Sequence, residues 1–293
     1  MWYYEAMNYQ YIDTHAHLNL AAFNDDGNEV IAKCLDEKVA VINVGTKQST
    51  SAKAVKLATL HDHLYAIVGL HPIQTVPGSH DEKEIGPGGQ VFTSKGEVFD
   101  KDFYRSLATS SKKVVGIGEC GFDYYHTTND SYETQEAAFI AQIELANELN
   151  LPLMIHTRDP KPGETSPTGN SAYTDVHRIL KQYAKVPGNI HFYAGNYEQA
   201  KKFFDLGFTI SFTGVITFAA VYEDIVKAVP LDLMHAETDS PFVSPVPYRG
   251  QRCEPRYVSK VVEKIAEIKS LPLYEVSEQL LKNAEKLYKL ILR

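Results

Sequence analysis

Apolar residues in this chain come in short, almost uninterrupted runs at 10–13, 39–44, 64–69, 114–119, 152–156, 189–192, 208–211 and 235–239. The runs are rich in β-branched residues and too brief for helices, which is the pattern of strands buried on both faces. Between them, amphipathic stretches predict helices over 28–37, 49–60, 101–109, 134–150, 175–185, 197–206 and 219–229, and two more follow the last run at 255–269 and 273–292. In the stretch 134–150, Ala138, Ile140, Ala141, Leu145 and Leu149 recur near the helical repeat, while Glu136, Gln142 and Glu148 take polar positions. Eight strands alternating with helices predict an α/β fold, a parallel (β/α)8 TIM barrel made by residues 1–293 as a single domain. The competing doubly wound sheet usually carries a glycine-rich phosphate turn after its first strand, and that turn is missing.

Residues 72–100 and 159–174 read as long loops, the first with Pro-Gly-Ser and Gly-Pro-Gly-Gly, the second with three prolines and several hydroxyl residues. Each follows a predicted strand, so both are expected on the C-terminal face of the barrel, where active sites are built. Structureless loops of that length are uncommon without a function.

Charge and cysteine content narrow the function classes. Lysine and arginine total 29 against 37 acidic residues, a net charge of −8, so binding of nucleic acid by bulk charge alone is excluded. A local metal site that dominates its own field remains compatible with an acidic chain. The three cysteines, Cys34, Cys120 and Cys253, are odd in number and widely spaced, which fits a reducing cytoplasm and neither a disulfide framework nor a CxxC metal site. The start, Met1 to Met7, has no basic segment followed by an apolar one, so no signal peptide is expected. No apolar stretch is long enough to predict a membrane span.

The runs end on chemistry-bearing side chains. His15 and His17 are two apart at the end of the first strand, on one side of it if the strand is regular. Glu119 closes the fourth strand, His156 the fifth, His191 the sixth and Asp239 the eighth. Buried imidazoles and carboxylates cost several kcal/mol unless paired or bound to metal, so six of them at five strand ends point to a metal site. The arrangement suggests two divalent cations: His15, His17 and Asp239 on one, His156 and His191 on the other, and Glu119 bridging. A mixed nitrogen and oxygen donor set suits Zn or Mn better than Mg, which is not excluded.

The ordered motifs carry a resemblance. Asp13-Thr14-His15-Ala16-His17, Gly69-Leu70-His71-Pro72, Gly118-Glu119-Cys120-Gly121-Phe122-Asp123-Tyr124, the stretch from Leu151 through His156 and Arg158 to Asp159, Glu237-Thr238-Asp239-Ser240-Pro241 and Pro245 to Gly250 are similar to the motifs of the TatD family of metal-dependent deoxyribonucleases, within the amidohydrolase-like metal barrels. The resemblance runs from about residue 10 to the end of the chain. It implies a two-metal hydrolase that cleaves phosphodiesters of DNA as a 3′ exonuclease on single-stranded ends. It also implies that His15, His17, Glu119, His156, His191 and Asp239 are the ligands, that Asp239 activates the attacking water, with Glu119 also catalytic, and that His71 and Arg158 contact the phosphate. DNA is then a substrate rather than a partner. A cytoplasmic monomer with no obligate protein partner and no membrane contact is expected.

Other residues have weaker readings. Asp13 and Glu237 share the inward face and are candidate acceptors for the ligand imidazoles. Arg249 and Arg252 are candidate contacts to the substrate backbone, and Tyr124, Tyr125 and His126 candidates for stacking a base. His61, His63, His80, His177 and His235 read as surface or packing residues. Phe192, Tyr193 and Cys253 depart from the family pattern and are candidates for a changed pocket wall. The alternative function is an amidohydrolase-type esterase, lactonase or amidase on a small substrate. Several barrels of that class bridge their metals with a carboxylated lysine, and the fourth strand here offers Glu119 instead. A non-catalytic binding module is a third possibility.

Overall fold

The computed structural model describes residues 9–80 and 92–292. Its strands are β1 (Tyr11–Ala16), β2 (Val39–Val44), β3 (Leu64–Val68), β4 (Pro77–His80), β5 (Phe92–Lys95), β6 (Val114–Asp123), β7 (Leu153–Arg158), β8 (Gly188–Ile190), β9 (Phe208–Phe212) and β10 (Met234–Ala236). Eight of them form one parallel sheet in the order β1-β2-β3-β6-β7-β8-β9-β10. Its two ends are joined by a parallel bridge between Ala16 and Ser240, with Asp239 N–H donating to His15 O (2.9 Å) and His17 N–H to Ser240 O (2.8 Å). This is the TIM barrel that the eight apolar runs predict.

The helices are α1 (Gly27–Asp36), α2 (Gln48–Leu60), α3 (Lys101–Thr109), α4 (Tyr132–Leu149), α5 (Ala172–Tyr183), α6 (Tyr197–Phe204), α7 (Glu223–Ala228), α8 (Val258–Lys269) and α9 (Leu273–Tyr288). No helix among the described residues is long and apolar enough to cross a membrane. Alternate strand residues feed two apolar clusters. Val39 and Val41 pack outward with Val30, Ala54 and other helix residues, whereas Ala40, Ile42 and Val44 face inward with Ile12, Ile67 and Met154. The inner cluster also takes in Leu281, Ala284, Leu287 and Tyr288 of α9, so that helix covers part of the barrel interior. Each fully buried Val, Leu, Ile or Met side chain among them contributes about 1.5–3 kcal/mol.

The expected loop at 72–100 is partly ordered structure. His71 Nδ1 accepts from Ile73 N–H to start a 3-10 turn (Pro72–Gln74), and β4 pairs antiparallel with β5. Its segment 81–91 lies outside the described residues. The loop after β7 ends earlier than expected, because Ser171 caps α5 through Thr174 N–H (3.2 Å) and Asp159 Oδ1 takes Ala172 N–H (2.6 Å). The helix expected at 219–229 is a 3-10 turn (Ala220–Tyr222) followed by α7.

Candidate metal centre

Two irregularities in the sheet aim the site residues inward. Along β1, Asp13 pairs with Val41 but Ala16 with Asn43, so three residues oppose two. Along β6, Ile117 pairs with Leu153 but Cys120 with Ile155. Each shift inserts a residue and flips the strand's alternation. Ile117 and Cys120 both pack with the helices, and Glu119 between them is freed to point into the barrel. Glu119 therefore does not close its strand; β6 runs on to Asp123. At the closing end Asp239 holds a left-handed backbone, φ +55°, an uncommon state for a residue with a Cβ.

These elements bring all six predicted side chains to one place. His15 Nε2 lies 3.1 Å from His17 Nε2 and 3.7 Å from Asp239 Oδ1, and His17 Nε2 lies 3.3 Å from the same oxygen. Glu119 stands between two groups of imidazoles. Its Oε2 is 3.3 Å from His15 Nε2, while its Oε1 is 2.8 Å from both His156 Nδ1 and His191 Nε2 and 3.2 Å from His71 Nε2. By distance alone, three trios can hold a cation: His15, His17 and Asp239; His71, Glu119 and His156; and His15, His191 and Glu237.

Hydrogen-bond accounting sorts these imidazoles. His17 Nδ1–H donates to Val44 O (2.8 Å), which leaves the Nε2 lone pair facing the cluster. His156 Nε2–H donates to Asp123 Oδ2 (2.9 Å), so this ring presents Nδ1 instead. His191 Nδ1 faces Glu237 Oε1 at 3.4 Å and presents Nε2. His71 is the exception: its Nδ1 lone pair accepts Ile73 N–H (3.1 Å), so its neutral ring carries the proton on Nε2 and is a donor toward the cluster. Burial lowers His71 to about 4, against the pull of Glu119, and the ring is neutral at neutral pH.

At His17 and His156 this sets lone pair against lone pair, as between His156 Nδ1 and Glu119 Oε1. Such contacts require a proton or a cation between them. Burial alone pulls the imidazoles down, but the carboxylates win: Asp239 pushes up His17, Asp123 and Glu119 push up His156, and Glu119 with Glu237 pushes up His191. Burial alone would raise Glu119, yet His191, His71 and His15 hold it well below the usual carboxylate range. The donor set fits divalent cations held by nitrogen and carboxylate oxygen.

Asp123 carries a role that the sequence reading did not assign. Its Oδ1 accepts from Tyr125 N–H (2.9 Å) and His126 N–H (2.7 Å), and its Oδ2 is 2.8 Å from His126 Nδ1 as well as taking His156 Nε2–H. The available signal was its spacing, four past Glu119 on the same strand face.

The weaker candidates divide. Glu237 accepts from Phe192 N–H (2.6 Å) and Ser211 Oγ–H (2.7 Å) beside His191, as an orienting acceptor should. Asp13 instead binds backbone: Thr238 N–H (2.9 Å) and His15 N–H (3.2 Å), plus the Thr238 hydroxyl. Arg252 forks onto Asp26 (2.8 and 2.6 Å), so it is a structural cation. Arg158 is exposed at the end of β7, over the Tyr125 ring. Tyr124 is buried, its hydroxyl on Asp175 Oδ2 (2.9 Å), and does not stack at the mouth. Tyr193 and Cys253 are buried, Tyr193 with its hydroxyl on Asn196 O (2.7 Å). His63 and His235 are buried packing residues, hydrogen-bonded to Ile31 O (3.1 Å) and Thr209 Oγ1 (3.0 Å).

Known proteins are similar to this chain over nearly its whole length. The family model for TatD related DNase matches residues 12–289. The chain is 34% identical over 283 residues to the uncharacterized metal-dependent hydrolase YabD of Bacillus subtilis, covering 95% of this chain and 98% of that one. It is 30% identical to the uncharacterized metal-dependent hydrolase YcfH of Escherichia coli, covering 94% and 95%. The crystal structure of YJJV, a TatD homolog from Escherichia coli, superposes with a TM-score of 0.78 at 24% identity, covering 96% and 99%. A barrel whose rim gathers imidazoles around one carboxylate is thus joined to sequence agreement over nearly its full length, and the chain belongs to the TatD family of metal-dependent hydrolases that act on ester bonds.

Proposed function

We propose that this chain hydrolyses phosphodiester bonds of DNA, as a 3′ exonuclease on single-stranded ends, with two divalent cations at the rim. The observation that carries this reading is Glu119, whose two oxygens face different groups of imidazoles. In it, His15, His17 and Asp239 would hold one cation and His156 and His191 the other, with Glu119 available to both. Bound divalent cations supply neutralisation of phosphodiester charge and activation of water.

The protein's own groups do the rest. Asp239 is held below the ordinary carboxylate range, because His17, His15 and His191 outweigh its burial, so it is ionised and accepts the proton of the attacking water. His71 keeps its proton on Nε2 and donates a hydrogen bond from it to a phosphate oxygen or to the leaving oxygen. Its distance from Glu119 and His156 alone would admit it as a ligand, but the Ile73 hydrogen bond assigns it the donor role. Arg158 places a planar fork, backed by Tyr125, beside the phosphate.

The test is a metal-supplemented panel of end-labelled single-stranded and duplex DNA, RNA, carboxylic esters and lactones. Single-stranded DNA shortened from its 3′ end with Mn, Zn or Mg is the expected outcome. Turnover of lactones or carboxylic esters with no cleavage of any phosphodiester would overturn the reading.

A further inference from the structure

The described residues include six arginines, and four of them are ion-paired. Arg105 meets Glu148 (2.6 Å) and Asp102, Arg178 meets Glu136 (2.7 Å), Arg252 meets Asp26 (2.6 Å), and Arg256 meets Glu37 (2.7 Å) and Glu254 (2.6 Å). The other two, Arg158 and Arg249, have no carboxylate partner among the described residues, in a chain where acidic residues outnumber basic ones 37 to 29. Both are exposed at the rim, Arg158 as the last residue of β7 and Arg249 on the loop that follows β10. Each lies over an aromatic ring: Arg158 Cζ is 4.4 Å from the Tyr125 centroid and Arg249 Cζ 3.8 Å from that of Phe218.

Arg249 is held in place and tied to the metal centre. Its Nη1 donates to Ser244 O (2.9 Å), and Val246 N–H donates to Thr217 Oγ1 (2.9 Å), which joins its loop to that of Phe218. The same loop begins at Asp239, and its Phe242 ring lies 6.2 Å from that of His17. Arg158 ends β7, whereas Arg249 follows β10, three strands further round the sheet. A guanidinium without a counter-ion keeps its donors for an anion, and an aromatic backing restrains its plane while one face stays open to stacking.

We propose that Arg249 and Phe218 form a subsite for a second nucleotide, binding the phosphate and base adjacent to the linkage that is cut near Arg158. The proposal rests on the phosphodiesterase reading and deepens it. A strand held by both arginines crosses the rim over the cation-binding side chains, so the preferred substrate carries at least two phosphates and is an oligomer rather than a small diester.

The experiment compares kcat and KM on a trideoxynucleotide and on bis(4-nitrophenyl) phosphate, each with Mn, Zn or Mg, for the parent enzyme and for R249Q, F218L and R252Q. R249Q is expected to raise KM for the trinucleotide about tenfold with kcat within about twofold, and to move neither constant for the small diester beyond about twofold. The slope of log kcat/KM against log salt on the trinucleotide falls in R249Q by about 0.7. F218L raises the same KM by about threefold. R252Q removes an equal charge at a carboxylate-paired position and leaves that KM within about twofold. Equal losses on both substrates in R249Q, or the same KM change in R252Q, overturn the subsite. Cleavage of the small diester but not of the trinucleotide by the parent also overturns it and leaves phosphodiester chemistry standing. Cleavage of neither overturns the phosphodiesterase reading and takes the subsite with it.

Discussion

Beneath the rim, a second buried polar group runs through the barrel, from Glu237 to His235 by way of hydroxyl and amide side chains. Ser211 Oγ–H donates to Glu237 Oε2 (2.7 Å), Asn189 Nδ2–H to Ser211 Oγ (2.7 Å), Thr209 Oγ1–H to Asn189 Oδ1 (3.1 Å), and His235 Nε2–H to Thr209 Oγ1 (3.0 Å). Every one of those contacts matches a donor to an acceptor. At the rim the contacts do not match: His17 Nε2 faces Asp239 Oδ1 at 3.3 Å, and His156 Nδ1 faces Glu119 Oε1 at 2.8 Å, each ring having spent its N–H elsewhere. Burial of polar side chains is therefore a poor marker of a site. Converging acceptors whose protons are committed outward are a good one, because only an added cation satisfies them without protonation.

The comparison breaks first at Asp239. Asp239→Asn should keep the fold, with an unchanged circular dichroism spectrum, and lower kcat on single-stranded DNA by about 10³-fold. A parental rate would remove Asp239 from the role of water activator. Metal removal comes next: chelation should lower stability by about 4 kcal/mol relative to protein at a free metal concentration 1,000 times Kd, read as a drop in Tm. A Tm indifferent to metal would place the rim with the hydrogen-bonded layer below it.

Asp123→Ala sharpens the same contrast, because it deletes the acceptor that commits the His156 proton outward. Metal affinity measured by chelator competition should fall about 10–100-fold. Unchanged affinity would reduce Asp123 to a holder of the Tyr125 and His126 backbone.

The smallest effect on metal binding belongs to His235. Burial lowers this imidazole to about 3, below its unfolded value, so the unfolded chain takes up a proton first as pH falls. Its contribution to stability is fully present above about pH 6.5 and declines toward pH 3, by up to about 1.4 kcal/mol per unit. His235→Gln should flatten the urea-measured stability profile across that window and leave metal affinity unchanged.

The barrel was legible in the chain because strands buried on both faces leave unbroken apolar runs, as at 39–44, where expectation and β2 coincide. The six converging side chains were legible because they stand at or near the ends of such runs. The bulges were not, since an inserted residue in β1 or β6 is defined only by the partner strand. The donor role of His71 depends on the Ile73 backbone amide, and the structural role of Arg252 on Asp26 far back in the chain. Pairings of that kind leave no periodicity to read. The β4–β5 hairpin was missed because its strands are short and carry Pro, Gly and charge, the composition of a turn.

The bridge from Ala16 to Ser240 has a consequence for synthesis. His15 and His17 emerge from the ribosome early, yet their carboxylate partner Asp239 belongs to the final strand region. A nascent chain therefore exposes these two imidazoles before Asp239 is made, and the rim cannot close around them until that residue has left the ribosome.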